Sequence, residues 1–479
     1  MKFLPFNYLF FSLAFLFISF YSHTQTVEWL RQCGGKSYDE GKSICSDRNG
    51  SIYVTGYFNE KMSMPLGNDS ITAISAGESD VFISKYNQSG ELIWFKTFGG
   101  TSYDGVFAIT TDEDGNVLLT GNFWGTTDFN PSTEIENHTS NGDGDIYIEK
   151  LDTDGNFLWV RTFGGSEFDN SLGICSDHQN NIYTTGHFKG SFPVKDTDSI
   201  LNWKSIGQDD AFIQKMDSDG KVLWTKFVSG YFRQQGYSIQ VDSKDNVIAT
   251  GTFSGESNVS TLQKQVHFNT NGLIDIYILK LDANANLLWY KTIGGNSYDI
   301  DAKVKIDDKD QIYIVGNFHE SVDFNPDTNL GIQTSRGEFD VFVEKLDDTG
   351  NFLWVRTFGG PELDFATDIE MDESGQIYIT GYFEKTCNFS LGEPSMNYQS
   401  NGSFDSYLLK LNPIGDFLWV KTFGGKKDDH GNSICLDRKK AIYLTGRFYD
   451  KMNEEEFEVN NNTSSKGASD TFILKLKNK

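Results

Sequence analysis

Hydrophobic and polar residues alternate along this chain in short runs, and the runs return with a fixed period. Between residues 104 and 165 they read "FAITTD", "NVLLTGNF", "DIYIEKLD" and "NFLWVRTFGG". Each is rich in β-branched and aromatic residues and is bounded by turn formers, the pattern of a strand. The connections "DEDGN" and "DTDGN" suit tight hairpins with Gly in the left-handed region. One such group is therefore a four-stranded antiparallel meander. Apolar residues follow one another directly in the third strand, as at Phe82 and Ile83, so both faces of the small sheet need cover. A sheet of four strands cannot cover itself and must stack between neighbours.

The chain supplies those neighbours. Tryptophan recurs at Trp29, Trp94, Trp159, Trp224, Trp289, Trp354 and Trp419, and every gap is 65 residues. The same step carries Gly56 through Gly446, Phe58 through Phe448, Asp47 through Asp437, Asp80 through Asp470 and Lys85 through Lys475. The mature chain opens on "TVEWLRQCGG", a fourth strand with no third before it. It ends on "DTFILKLKNK", a third strand with no fourth after it. Each end lacks what the other holds. The expected fold is all-β: a closed seven-bladed β-propeller over residues 26–479, with Val27 to Cys33 completing the last blade beside Thr471 to Leu476. Each Trp is read as a structural wedge between blades, removing about 200 Å² from water.

Before the first blade, Lys2 and an apolar stretch from Tyr8 to Phe20 form the layout of a secretory signal peptide over residues 1–25. The expectation is a secreted or cell-surface protein, with the periplasm as a further compartment. Five cysteines leave at least one thiol unpaired. Cys45, Cys175 and Cys435 share one repeat position with Thr110, Gln240, Lys305 and Glu370, so they read as packing groups and no essential disulfide is expected. Acidic residues outnumber basic ones 67 to 41, a net charge of -26. That excludes the clustered cationic surface nucleic-acid binding needs.

The runs "GQIYITGYF" and "GEFDVFVEKLDDTGNFLWVRTFGG" with their siblings resemble the bacterial seven-bladed β-propeller (SBBP) repeat family. The resemblance implies an exported propeller whose biochemical role is mostly unassigned. The tail "DTDGNFLW" is one residue short of the tryptophan-docking repeat of quinone-dependent dehydrogenases, and its Asp-to-Gly spacing differs from that of the sialidase Asp box. Neither likeness establishes an enzyme.

A feature present in every copy serves the blade, so candidate function lies where the repeat varies. Two connections are expected to share one rim of the channel: the short link after the fourth strand, and the 21 residues between Phe58 and Asp80 with their equivalents. The link carries Asp104, Asp169, Asp299, Asp364 and Asp429, preceded by Asp39 and interrupted by Gln234. Together with Trp124 and Trp203 of the long segments, and Arg233 of the divergent run "VSGYFRQQG", these five carboxylates are the candidate ligand-binding residues. No catalytic residue or metal ligand is assigned. No cofactor is expected, calcium being the one ion for which the acidic turns leave room. The favoured reading is a monomeric, non-enzymatic binding scaffold for a protein or a glycan at the cell envelope, with no membrane span once the leader is removed. The alternative is a polysaccharide hydrolase or lyase using carboxylates at the channel mouth.

Overall fold

The computed structural model describes residues 26–67, 69–195, 200–260, 265–326, 328, 331–390, 396–452 and 463–477. The leader expected over residues 1–25 lies outside them. The 65-residue period becomes seven antiparallel blades around a channel. In the first blade the strands are Asp39–Ser46, Ile52–Phe58, Asp80–Tyr86 and Leu92–Gly100, running from the channel outwards. The innermost strand of each blade touches that of both neighbours all the way round, Asp39–Ser46 against His430–Leu436 included. The ring is closed. Val27–Gly35 is the outer strand of the last blade, pairing residue for residue from Leu30↔Leu474 to Cys33↔Thr471. This is the closure the two incomplete ends predict.

Local chemistry accounts for the elements. At the turn after the first strand, Asp47 Oδ1 accepts the amides of Asn49 and Ser51 at 2.8 Å, and Tyr53 donates its hydroxyl to Oδ2. This local cap explains why Asp recurs there in every copy. The third strands are buried on both faces, as at Asp80–Tyr86 and Asp145–Leu151. The tryptophans do act between blades, though most are half-buried. The Trp94 indole lies against Gly155 at a turn of the following blade and donates Nε1 to Thr153 O at 3.2 Å. Trp29, Trp159, Trp224 and Trp289 make the same bond one blade on. All five cysteines are free thiols.

The long variable segments are not plain loops. Most fold into a β-hairpin that reaches back and clasps the fourth strand of the preceding blade, whereas Ser191–Lys195 pairs only with its own second arm, Ile200–Lys204. Lys61–Leu66 pairs with Gly34 and Gly35, Thr126–Asp128 with Gly99 and Gly100, and Glu256–Ser260 with Val228 to Gly230. Single bridges do the same at Gly295↔Val322 and Gly359↔Asn388. These clasps explain the Gly-Gly pair that ends the fourth strand. A Cβ on the first glycine would overlap the carboxyl of Asp80 or its equivalent, and one on the second would overlap a hairpin carbonyl such as Thr126 O. Gly100→Val is therefore expected to lift its hairpin and cost about 1–3 kcal/mol. Urea unfolding reads the loss, and limited proteolysis should open new cuts between residues 126 and 139.

Candidate binding face

The links and the hairpins leave the blades on the same rim. Trp124 N donates to Tyr103 O, and Asp104 N to Ser79 O, tying each link to the hairpin bases beside it. The link carboxylates are not open to solvent there: Asp39, Asp104, Asp169, Asp299, Asp364 and Asp429 are fully buried. Each accepts the amide of the second Gly of the pair, from Gly35 N at 2.6 Å to Gly295 N at 2.8 Å. Asp104 also accepts the Thr127 hydroxyl at 2.6 Å, joining link to hairpin. Each faces a third-strand carboxyl in the same junction: Asp80 beside Asp104, Asp145 beside Asp169, Asp275 beside Asp299, Asp340 beside Asp364. Burial first, and the neighbouring carboxyl as well, push Asp104, Asp169 and Asp299 up to about 7 and Asp364 and Asp429 to about 8. These aspartates hold the blade junctions together. They do not gather into one site.

Of the other three candidates, Arg233 and Trp203 face outwards and Trp124 is half-buried. Arg233 is 65% exposed along its side chain and lies 3.4 Å from Asp209. It continues an apolar patch of Tyr231, 74% exposed, and Phe232, 48% exposed, whose rings meet edge-on. Exposed Ile206 belongs to the neighbouring loop, where Gln208 N donates to Phe232 O. Equivalent positions in the other copies hold Lys36, Thr101, Ser166, Asn296, Pro361 and Lys426 in place of Tyr231. Trp203 stacks on Phe227 with one face left open. Trp124 lies between Tyr103 and Phe168.

Trp124 belongs to a belt that the sequence did not reveal. Rings touch in series from His187 through Phe168, Trp124 and Tyr103 to Tyr57. A second series runs from His319 through Phe339, Phe365 and Tyr382 to His430, the last two stacked at 3.9 Å. Glu40 joins the two: it accepts the Tyr57 hydroxyl at 2.6 Å and pairs with Arg447 at 3.1 Å, and Arg447 reaches His430 at 3.2 Å. Burial opposes the Glu40 charge, yet Lys42, Arg447 and two hydrogen bonds hold it down to about 2. Burial, then Arg447, keeps His430 neutral, down at about 3. The belt is mostly half-buried, with the hairpins standing outside it and the channel mouth within.

The mouth is a 200 Å³ cavity that continues into a 360 Å³ channel. The first strands line both, as expected. One blade departs from the rest: the register of Asp299–Ile306 skips from Ile300 to Lys303, leaving Asp301 at φ 60. Gly, Val, Ser or Ala fill that position elsewhere, at Gly41, Val106, Ser171, Gly236, Ala366 and Gly431. A non-glycine residue held in the left-handed region stores strain that its surroundings must sustain. The readable signal was a departure from the sevenfold pattern, as at Asp301 and Tyr231. The acidic turns that suggested calcium keep their carboxylates occupied locally: Asp152 accepts amides from Asp154 and Asn156.

Residues 28–59 match the family model described as Beta-propeller repeat, SBBP, which spans the closing strand and the first two strands of the opening blade. An uncharacterized WD repeat-containing protein of Acanthamoeba polyphaga mimivirus is 20% identical over 504 residues, covering 88% of this chain and 36% of that protein. Regulatory protein FlaEY of Caulobacter vibrioides is 24% identical over 136 residues, 28% of this chain and 14% of its own. The chain thus spans little more than a third of the longer match. Among solved structures, the WD40 domain of Neurospora crassa Pan2 aligns over 92% of this chain and 90% of its own at TM-score 0.42 and 9% identity. Sqt1 from Chaetomium thermophilum aligns over 86% and 95% at TM-score 0.40 and 10% identity. The chain is a β-propeller repeat protein.

Proposed function

We propose that this protein is an exported, non-enzymatic binding scaffold that recognises a protein or a glycan at the cell envelope through its hairpin-bearing rim. One observation carries the reading. The side chains that break the sevenfold repeat collect on that rim, and Tyr231, Phe232 and Arg233 stand exposed at the one junction where the link changes character. Aromatic residues and Arg are the groups that anchor interfaces. They stand here on a rigid ring, so little ordering is needed on binding. The WD-repeat character of the mimivirus relative supports a role of the same class. The leader pattern of residues 1–25 supports export.

The test uses the mature chain on a glycan array and against envelope protein fractions, beside the triple variant Trp124→Ala, Tyr231→Ala, Phe232→Ala. Leu353→Ser, an exposed position on the outer strand of another blade, serves as the control. Binding by the native chain and the control, reduced at least tenfold in the triple variant, is the expected result. Equal binding by all three would overturn the rim as the contact surface. Release of saccharide fragments during incubation would replace the scaffold by the hydrolase or lyase reading.

A further inference from the structure

The channel mouth differs from every other part of the ring in its chemistry. Its wall on one side is Asp301 and Lys303; blades across and beside them contribute Phe107, Leu172 and Tyr237. Lys303 occupies a position that is Ser43, Ala108, Gly173, Ser238, Asp368 and Ser433 elsewhere. Five of those six are small residues, which leaves room in front of its ammonium group. The other cations of the mouth are engaged: Lys42 and Arg447 lie on Glu40, and Lys305 lies on Glu370 at 2.8 Å. The Asp368 carboxylate is taken by Ser433 Oγ at 2.7 Å and Ile434 N at 3.0 Å. Asp301 accepts one long hydrogen bond, from Asn317 Nδ2 at 3.4 Å, and feels the Lys303 ammonium only as a neighbouring charge. What remains is an acceptor two residues from a donor, with aromatic and aliphatic faces around them, and the ionic groups of the mouth balance.

We propose that this mouth is a saccharide site, taking one pyranose unit of an uncharged glycan end-on; this rests on the rim-binding reading and names the ligand class. A vicinal diol donates to one group and accepts from another, so Asp301 and Lys303 satisfy it together, where an anion or a cation alone would leave one of them unmet. The C–H face of the ring packs against Phe107 and Tyr237, the apolar lining with a few convergent polar groups that small-molecule sites use. Asn432 adds an acceptor, because its Nδ2 is committed to Glu40 and Gly41 O while its Oδ1 is free of those bonds. A polyanionic glycan is disfavoured by the chain's charge of -26.

Saturation-transfer NMR on the mature chain tests this, with the methyl glycosides of glucose, galactose, mannose and N-acetylglucosamine as probes, and acetate and cyclohexylmethanol as controls. At least one glycoside should receive saturation, and its affinity should fall about tenfold or more in Lys303→Met and in Asp301→Gly. Glycine suits the φ of 60 at residue 301, so Asp301→Gly should keep the fold and its melting temperature. Transfer to no glycoside, or transfer undiminished in both variants, would overturn the site. Acetate displacing the glycoside would show an anion site instead. Glycan retention that survives Lys303→Met but is lost in the triple rim variant defeats the mouth site and leaves the rim reading standing.

Discussion

A chain starting at Lys36 is expected to lose cooperative unfolding altogether. Val27, Trp29, Leu30 and Cys33 are buried at the seam between the last blade and the first. Burying a side chain of the Val or Leu class contributes about 1.5–3 kcal/mol, so the three large ones together approach the whole net stability of a typical domain, about 5–15 kcal/mol. Trp29 also donates to Gln88 O across the seam, and Gly34 and Gly35 carry the hairpin Lys61–Leu66. Without this strand, Asp470–Leu476 becomes an unprotected sheet edge, an invitation to aggregate. Calorimetry should give one sharp endotherm for residues 26–479 and a broad or absent one for the shortened chain. Adding residues 26–35 as a separate peptide should restore part of it. A sharp endotherm at an unchanged temperature would show that the ring does not depend on this strand.

The second large effect concerns pH. Six junctions pair a buried link carboxyl with a third-strand carboxyl; at the seventh the link position is the buried, neutral Gln234. The native link groups titrate at about 7 to 8, against about 3.9 for an unfolded Asp. Between those values the folded chain binds more protons than the unfolded one. Stability therefore falls as pH rises from about 4 to about 8, and flattens above. Burial is the leading cause, and the neighbouring carboxyls of Asp275 and Asp340 add to it at Asp299 and Asp364. The triple variant Asp104→Asn, Asp299→Asn, Asp364→Asn copies the neutral partner already present as Gln234. It should gain on the order of 1 kcal/mol per junction at pH 8 and little at pH 4.5. Melting temperatures across that range decide the matter: parallel curves for native and variant chains would mean that these carboxyls do not carry the dependence.

The period of 65 was legible because packing demands the same residue at the same depth in every blade. Closure was legible too, since two incomplete ends carry complementary halves of one pattern. The clasps were hidden for a physical reason. Their arms, such as "NEKMSMPLG" and "WGTTDFNPS", differ in every copy, and what they grip is backbone. Only the second glycine of each pair hints at a close approach. The link aspartates were visible as a column, but whether a carboxylate caps a turn or lines an opening depends on neighbours 20 or more residues away, as with Thr127 and Asp104. The aromatic belt draws its rings from links, hairpin bases and strand ends at once, so no single column shows it.

The closing strand runs towards the rim, and the strand beside it runs away, so the chain enters and leaves on the opposite side of the disc. There Lys477 N meets Thr26 O at 3.1 Å. A tether or tag joined directly to Thr26 or to Lys477 would therefore start behind the molecule, and a surface bearing the protein by either residue would display its hairpin crown outwards.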